Sequence, residues 1–135
     1  MMNTVPAVGE QVGEVVMRPT ALQLFRYSAV TWNTHLIHFD QSWAANEGYP
    51  GVLVHSHLHA ANALRAVTDG LGADWQIGSV SYRVLRPAFA GDALTATAEV
   101  VESSEDGRRL TLAVKEVDGS GETCLEGTVT ARSRS

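Results

Sequence analysis

The chain has almost no cysteine: Cys124 stands alone among 135 residues. A single thiol cannot form an intramolecular disulfide, so the fold must rest on its core, and a reducing compartment is the expected setting. Long apolar runs are also missing. Nothing approaches the roughly 20 residues that cross a bilayer. The opening MMNTVPAVGEQVGE lacks the basic stretch followed by an apolar one that marks a secretory signal. Basic residues are scarce, with ten Lys and Arg against fifteen Asp and Glu and a formal net charge of −5. That balance argues against nucleic acid or an anionic membrane surface as a partner, since both select basic faces. A cytoplasmic protein is the expectation. Internal repeats, low-complexity tracts and long linkers are absent, which leaves residues 1–135 as one domain. Apolar residues at 44% and charged residues at 19% make the composition globular rather than disordered. A chain of this length buries roughly two-thirds of its unfolded surface without a covalent staple.

What is present divides into three zones. Residues 1–20 hold one short strand around Val12–Met17 and a turn at Arg18-Pro19-Thr20. Residues 21–75 read as helix, loop and helix. Thr20 is placed to cap a helix over Ala21–Thr31, with Gln23 three positions on, as in a capping box. A short helix is expected over Gln41–Glu47, stopped by Gly48 and Pro50. The clearest helix runs from His55 to Leu71, with Leu58, Ala61, Leu64 or Arg65, Thr68 and Leu71 near the helical period. Alanines 60, 61, 63 and 66 predict that it is buried nearly all round. From residue 76 onward the pattern alternates as in strands: Ile77–Leu85, Ala93–Glu102, a run through Leu110, Leu112 and Val114, and Cys124–Ala131. Turn signals at Glu105-Asp106-Gly107 and Asp118-Gly119-Ser120-Gly121 suit antiparallel hairpins. Five strands and one long apolar helix make an α+β plan, with the sheet wrapped around the helix.

Chemistry concentrates in one place. All five histidines fall within residues 35–59, and imidazole is the usual general acid–base near neutral pH. A metal is one reading, since His35-x-x-His38 and His55-x-His57-x-His59 offer nitrogen ligands. Residues 55, 57 and 59 share a face only on a strand, however, and the Ala/Leu-rich continuation predicts a helix on which they fan apart. Nucleophilic catalysis is weaker. Ser56 lies between two histidines without a Gly-x-Ser-x-Gly elbow. Cys124 sits in a strand pattern with nothing to lower its pKa. The glycines form no phosphate-binding loop.

Two stretches carry a resemblance. They are Tyr27-Ser28-Ala29-Val30-Thr31-Trp32-Asn33-Thr34-His35-Leu36-Ile37-His38-Phe39-Asp40 and Glu47-Gly48-Tyr49-Pro50-Gly51-Val52-Leu53-Val54-His55. Together they resemble the MaoC-like (R)-specific enoyl-CoA hydratase and 3-hydroxyacyl dehydratase family, whose members have the hotdog fold. The family motif is Asp-x-Asn-Pro-x-His-x-Asp, then a glycine–aromatic pair, then His-Gly opening the central helix. The most similar branch reads Thr-Phe/Trp-Asn-x-His-x-Ile-His-Tyr/Phe-Asp and includes dehydratases and hydratases of short branched or dicarboxylic enoyl-CoAs, of the mesaconyl- or itaconyl-CoA type.

The resemblance implies a fold, a reaction and roles. The fold is a single hotdog domain, an antiparallel sheet around one long central helix. The reaction is reversible hydration of an enoyl-CoA, with coenzyme A present as part of the substrate and no other cofactor. His38 stands where the family has its catalytic histidine, and Asn33 where it has its aspartate. The amides of Ser56 and His57 stand where the family holds the thioester oxygen. Tyr49, Gly51, Val54, His55 and His35 then fall beside the substrate. Arg83, Arg86 and Arg26 are candidates for the coenzyme phosphates. Physical chemistry points the same way: a helix start offers unpaired N–H groups and positive potential to an enolate oxygen. Asn33 cannot transfer a proton but can orient water. Ser56 replaces the family's glycine and narrows the approach to that amide. A homodimer or higher oligomer is expected, since a hotdog sheet leaves an edge and a cleft that a second protomer completes. Two other readings stay open. One is a non-catalytic or half-catalytic subunit paired with a second hotdog chain. The other is a thioesterase using Glu47 or Asp40.

Overall fold

The computed structural model describes residues 5–135. Strand β1 (Gln11–Met17) leads into helix α1 (Ala21–Thr31). The helix begins where its sequence says it should: the Thr20 hydroxyl accepts from the Gln23 amide at 3.1 Å, which satisfies one of the orphan donors of the first turn. A three-residue 3₁₀ turn (Leu36–His38) and helix α2 (Gln41–Asn46) follow. The 3₁₀ turn is not foreshadowed by any apolar period, and α2 ends one residue earlier than expected, with Glu47 as its C-cap. The long helix α3 (Ser56–Leu71) then precedes strands β2 (Trp75–Val84), β3 (Leu94–Ser103), β4 (Arg109–Val117) and β5 (Thr123–Ser133).

The strands form one antiparallel sheet in the order β1-β3-β4-β5-β2. The β3–β4 and β4–β5 connections are the hairpins the turn residues call for. Alternation decides which face is buried. Leu94, Ala96, Ala98 and Val100 of β3 and Leu110, Leu112 and Val114 of β4 are all buried; all but Leu94 meet Ala63, Ala66 and Val67 of α3 in one core, while Leu94 joins a second one with Leu24, Val54 and Leu58. Helix α3 packs across all five strands.

The contact with β1 is made backbone to backbone. A Cβ added at Gly13 would stand 1.9 Å from the Ala66 carbonyl oxygen, and one at Gly70 would stand 2.3 Å from that of Val12. Only glycine permits so close an approach. One expectation is corrected: α3 is not buried all round. Ser56, His57, Ala61, Arg65, Thr68 and Asp69 lie on an exposed side, because the curved sheet covers the helix from one side only. Alanine is compatible with either environment, so the alanine-rich pattern overstated the burial. Among the described residues no helix is long and apolar enough to cross a membrane.

Candidate active site

The loop after α1 is shaped residue by residue. Trp32 ends the helix in the left-handed conformation (φ 60°), a strained choice for a bulky side chain, and the residue is 83% exposed. The Asn33 amide closes the turn on the Ser28 carbonyl at 2.9 Å. The Asn33 side-chain oxygen then accepts from the His35 amide at 3.3 Å, an Asx turn. His35 caps the 3₁₀ turn, its Nδ1 accepting from the Ile37 amide at 3.2 Å. These consecutive caps swing His38 inward beneath α1. The loop is tied to the segment before α3 by the Leu53 amide donating to the Ile37 carbonyl at 2.9 Å.

His38 is 8% exposed. Its Nδ1 lies 2.9 Å from the Leu53 carbonyl oxygen. A carbonyl can only accept, so Nδ1 carries the proton, and in the neutral ring the Nε2 lone pair is the free one. Burial holds the His38 pKa below the ordinary imidazole value. The Leu53 carbonyl opposes that shift, and His35 adds to it.

His55 stacks on His38, with ring centroids 3.9 Å apart and planes within 16°. It is 1% exposed, its Nε2 is 2.7 Å from the Ser28 hydroxyl, and Tyr27 meets it edge-on at 4.7 Å. Burial first, then the neighbouring imidazoles of His38, His57 and His59, push its pKa down to about 4.

His55 is also the N-cap of α3, and it makes no side-chain capping bond. Its carbonyl accepts from Leu58 and His59. The amides of Ser56 and His57 therefore open the helix with no acceptor among the described residues, and the dipole places positive potential at the same point.

These parts border one cleft of about 1000 Å³. Of the residues singled out from the sequence, it is lined by Asn33, His35, His38, Val54, His55, Ser56, His57 and Arg86. Arg86 is paired with Glu122 at 3.2 Å. Four candidates lie elsewhere. Tyr49 and Gly51 sit behind the cleft against Phe89. Arg83 faces away on β2, paired with Glu126 at 2.9 Å. Arg26 is on the exposed side of α1. The two carboxylates considered for thioester hydrolysis are engaged locally outside the cleft: Asp40 caps α2, accepting from the Trp43 amide, and Glu47 accepts from the Trp43 indole. Cys124 is buried, and its thiol is pushed up to about 11 chiefly by desolvation. The His55-x-His57-x-His59 run does fan apart, with two rings buried and His57 exposed.

One polar cluster was not anticipated. His59 also borders the cleft, and its Nδ1 bonds Glu116 of β4. The other Glu116 oxygen accepts from Asn62 Nδ2 at 2.7 Å. None of the three side chains is more than 2% exposed. A signal existed in the sequence: Glu116 continues the inward phase of Leu110, Leu112 and Val114, where a carboxylate is out of place.

The curved antiparallel sheet, the central helix and the cleft at its start define a hotdog-fold protein. Two solved structures make the fold plain. The (R)-hydratase from A. caviae superposes with TM-score 0.89 at 23% identity, covering 96% of this chain and 98% of that one. The ChsH1–ChsH2 complex from Mycobacterium tuberculosis gives 0.85 at 23%, covering 95% and 98%. Residues 4–90, more than half of the chain, match the family described as hydroxyacyl-thioester dehydratase type 2, and the chain belongs to that family.

Two curated proteins are similar over part of their length. The mesaconyl-C(4)-CoA hydratase of Chloroflexus aurantiacus is 45% identical over 56 residues, which is 41% of this chain and 20% of that protein. The mitochondrial hydroxyacyl-thioester dehydratase type 2 of Schizosaccharomyces pombe is 31% identical over 83 residues, 58% of this chain and 27% of that protein. The matches thus span about a fifth to a quarter of those relatives.

Proposed function

We propose that the protein is a hydro-lyase that adds water reversibly across the double bond of an enoyl thioester carried on coenzyme A. One observation carries the reading: the free Nε2 of His38 and the unpaired amides of Ser56 and His57 border the same cleft. The thioester oxygen rests on the two amides. Nε2 takes a proton from water as the water oxygen bonds to C3. The C2=C3 electrons move into the thioester, and the resulting enolate is held by the N–H groups at the start of α3. The imidazolium of His38 then returns the proton to C2, so one water is added and His38 is regenerated. Dehydration runs the same steps backward.

Asn33 enters through its amide nitrogen, because its oxygen is committed to the Asx turn; the –NH2 can hold water at the edge of the cleft. His35 has Nδ1 engaged, so in its neutral form it presents an N–H on Nε2. The names of the curated relatives, a CoA hydratase and an acyl-thioester dehydratase, support this class of reaction. The test is loss of enoyl absorbance with crotonyl-, mesaconyl- and itaconyl-CoA, using wild type and His38→Ala. The proposal expects hydration of at least one thioester and a loss of about 10²–10⁴-fold in the variant. Equal rates in the two proteins would remove His38 from the mechanism.

The assembly belongs to the same proposal. Strands β1 and β2 are the sheet edges, and edges of this kind invite a partner strand. Two solved structures with this fold are of complexes, ChsH1–ChsH2 and HadBC from Mycobacterium tuberculosis. A homodimer, or a pair with a second hotdog chain, is the expected unit. Mass measurement in solution, and activity with and without an added hotdog partner, separate the two.

A further inference from the structure

The His59–Glu116–Asn62 cluster is sunk in an apolar core, where polar groups are costly unless they are fully paired. It is not fully paired. Among the described residues, His59 Nε2 and Asn62 Oδ1 are buried without a hydrogen-bond partner. The orientation of Asn62 is fixed by chemistry. Its nitrogen donates to the Leu94 carbonyl at 3.2 Å and to Glu116 at 2.7 Å, so the oxygen is the atom left over. His59 lines the cleft, and Asn62 follows it by three residues on the same side of the helix. Just inside the cleft wall the helix therefore holds two unsatisfied polar atoms, a ring nitrogen and an amide oxygen.

We infer that His59, set by Glu116 and Asn62, reads an uncharged oxygen, a hydroxyl above all, on the acyl group of the substrate. This rests on the hydratase reading above and names the substrate class within it. A hydroxyl both accepts and donates, so it can pair with the ring nitrogen in either of its roles and donate to the amide oxygen. A carboxylate only accepts, so it leaves the amide oxygen unpaired. An alkyl chain satisfies neither, and a site built around polar groups discriminates strongly against a substrate that leaves them unpaired. Position follows from helix geometry. Two to three residues separate the Ser56 and His57 amides from His59, roughly 3–4.5 Å along the axis. With the thioester oxygen at those amides, the recognised hydroxyl falls at C4 or C5, beyond the carbons that react.

The test compares substrates of equal heavy-atom count: 4-hydroxybut-2-enoyl-CoA against pent-2-enoyl-CoA, with 5-hydroxypent-2-enoyl-CoA and a 4-carboxylate analogue as further arms. Wild type should favour a hydroxylated thioester in kcat/KM by at least tenfold. In His59→Leu/Glu116→Leu, which replaces both members of the pair together and so leaves no lone buried charge, the ratio should fall toward one. Equal rates on all thioesters, a preference for the pentenoyl or carboxylate substrate, or a hydroxyl preference that survives in the double variant would each overturn the inference while leaving the hydratase reading intact. Hydration of none of the thioesters would instead remove the hydratase reading, and this inference with it. The wild-type ratio decides the matter even if the double variant does not fold.

Discussion

Two sets of buried polar groups lie about one helical turn apart, and they are stabilised in opposite ways. At the start of α3, His55 and His38 are stacked and kept neutral, with Ser28 and the Leu53 carbonyl as partners. One turn further, His59 is set against a carboxylate, with Asn62 holding the other side. A neutral imidazole is cheap to bury, and its hydrogen bond decides which lone pair remains; at His38 that leaves a base. An imidazole against a carboxyl group is expensive to bury unless its partner stays, and here it leaves a ring nitrogen and an amide oxygen unsatisfied. The comparison teaches that the partner, more than the histidine, determines what each site can do.

The difference can be broken first at its costlier member. Glu116→Ala leaves His59 facing an empty position, and losing one partner of a buried pair costs about 3–5 kcal/mol. Urea unfolding should show a loss of that size, whereas His59→Leu/Glu116→Leu should lose much less. If the two variants were equally destabilised, the pair would be no more than packing volume.

Acid separates the sets next. Folded His55 stays neutral down to about pH 4, while in the unfolded chain it takes a proton below the ordinary 6.5. Between those values the unfolded state binds more protons, so stability rises with pH. The contribution is complete above about 6.5 and is lost as pH falls toward 4. From the 6.5-to-4 shift it is on the order of 3 kcal/mol. Its burial gives His38 a shift in the same direction. Denaturant midpoints measured from pH 7 to pH 4.5 should fall, and His55→Gln should flatten the slope. A slope unchanged by that substitution would place the acid sensitivity elsewhere. The smallest effect is expected at Ser28→Ala, which removes the bond to His55 Nε2. A loss of about 1 kcal/mol is expected, read by the same unfolding experiment, and no loss at all would mean that His55 is held by stacking alone.

The same contrast explains what could be read from the chain. His38 and His55 could be singled out because they lie in two short stretches, 27–40 and 47–55, with a recognisable pattern; their stacking, and the Ser28 bond, could not. The strands and α1 were legible because alternation and the Thr20 cap are local signals. The 3₁₀ turn at Leu36–His38 was not, because three residues carry no period, and its shape comes from the Asn33 and His35 caps. Nor was the exposed side of α3, since alanine is at home in core and solvent alike. The buried polar cluster joins His59 and Asn62 of one helix to Glu116 of a strand more than fifty residues away. Only a carboxylate on the inward phase of β4 hinted at it. Arg83 and Arg86 lie three residues apart on and just beyond β2, yet only Arg86 borders the cleft, a distinction made by the direction of the strand.

The most direct test of the central claim is the pH dependence of kcat/KM for enoyl-CoA hydration in wild type and His38→Ala. Hydration requires the unprotonated Nε2, and burial lowers the His38 pKa. The wild-type rate should therefore rise with pH along an acid limb whose midpoint lies below the ordinary imidazole value of about 6.5, and level off by neutral pH. The residual rate of the variant should lack that limb. A limb of the same position and height in both proteins, or a wild-type midpoint above the ordinary value, would contradict the account.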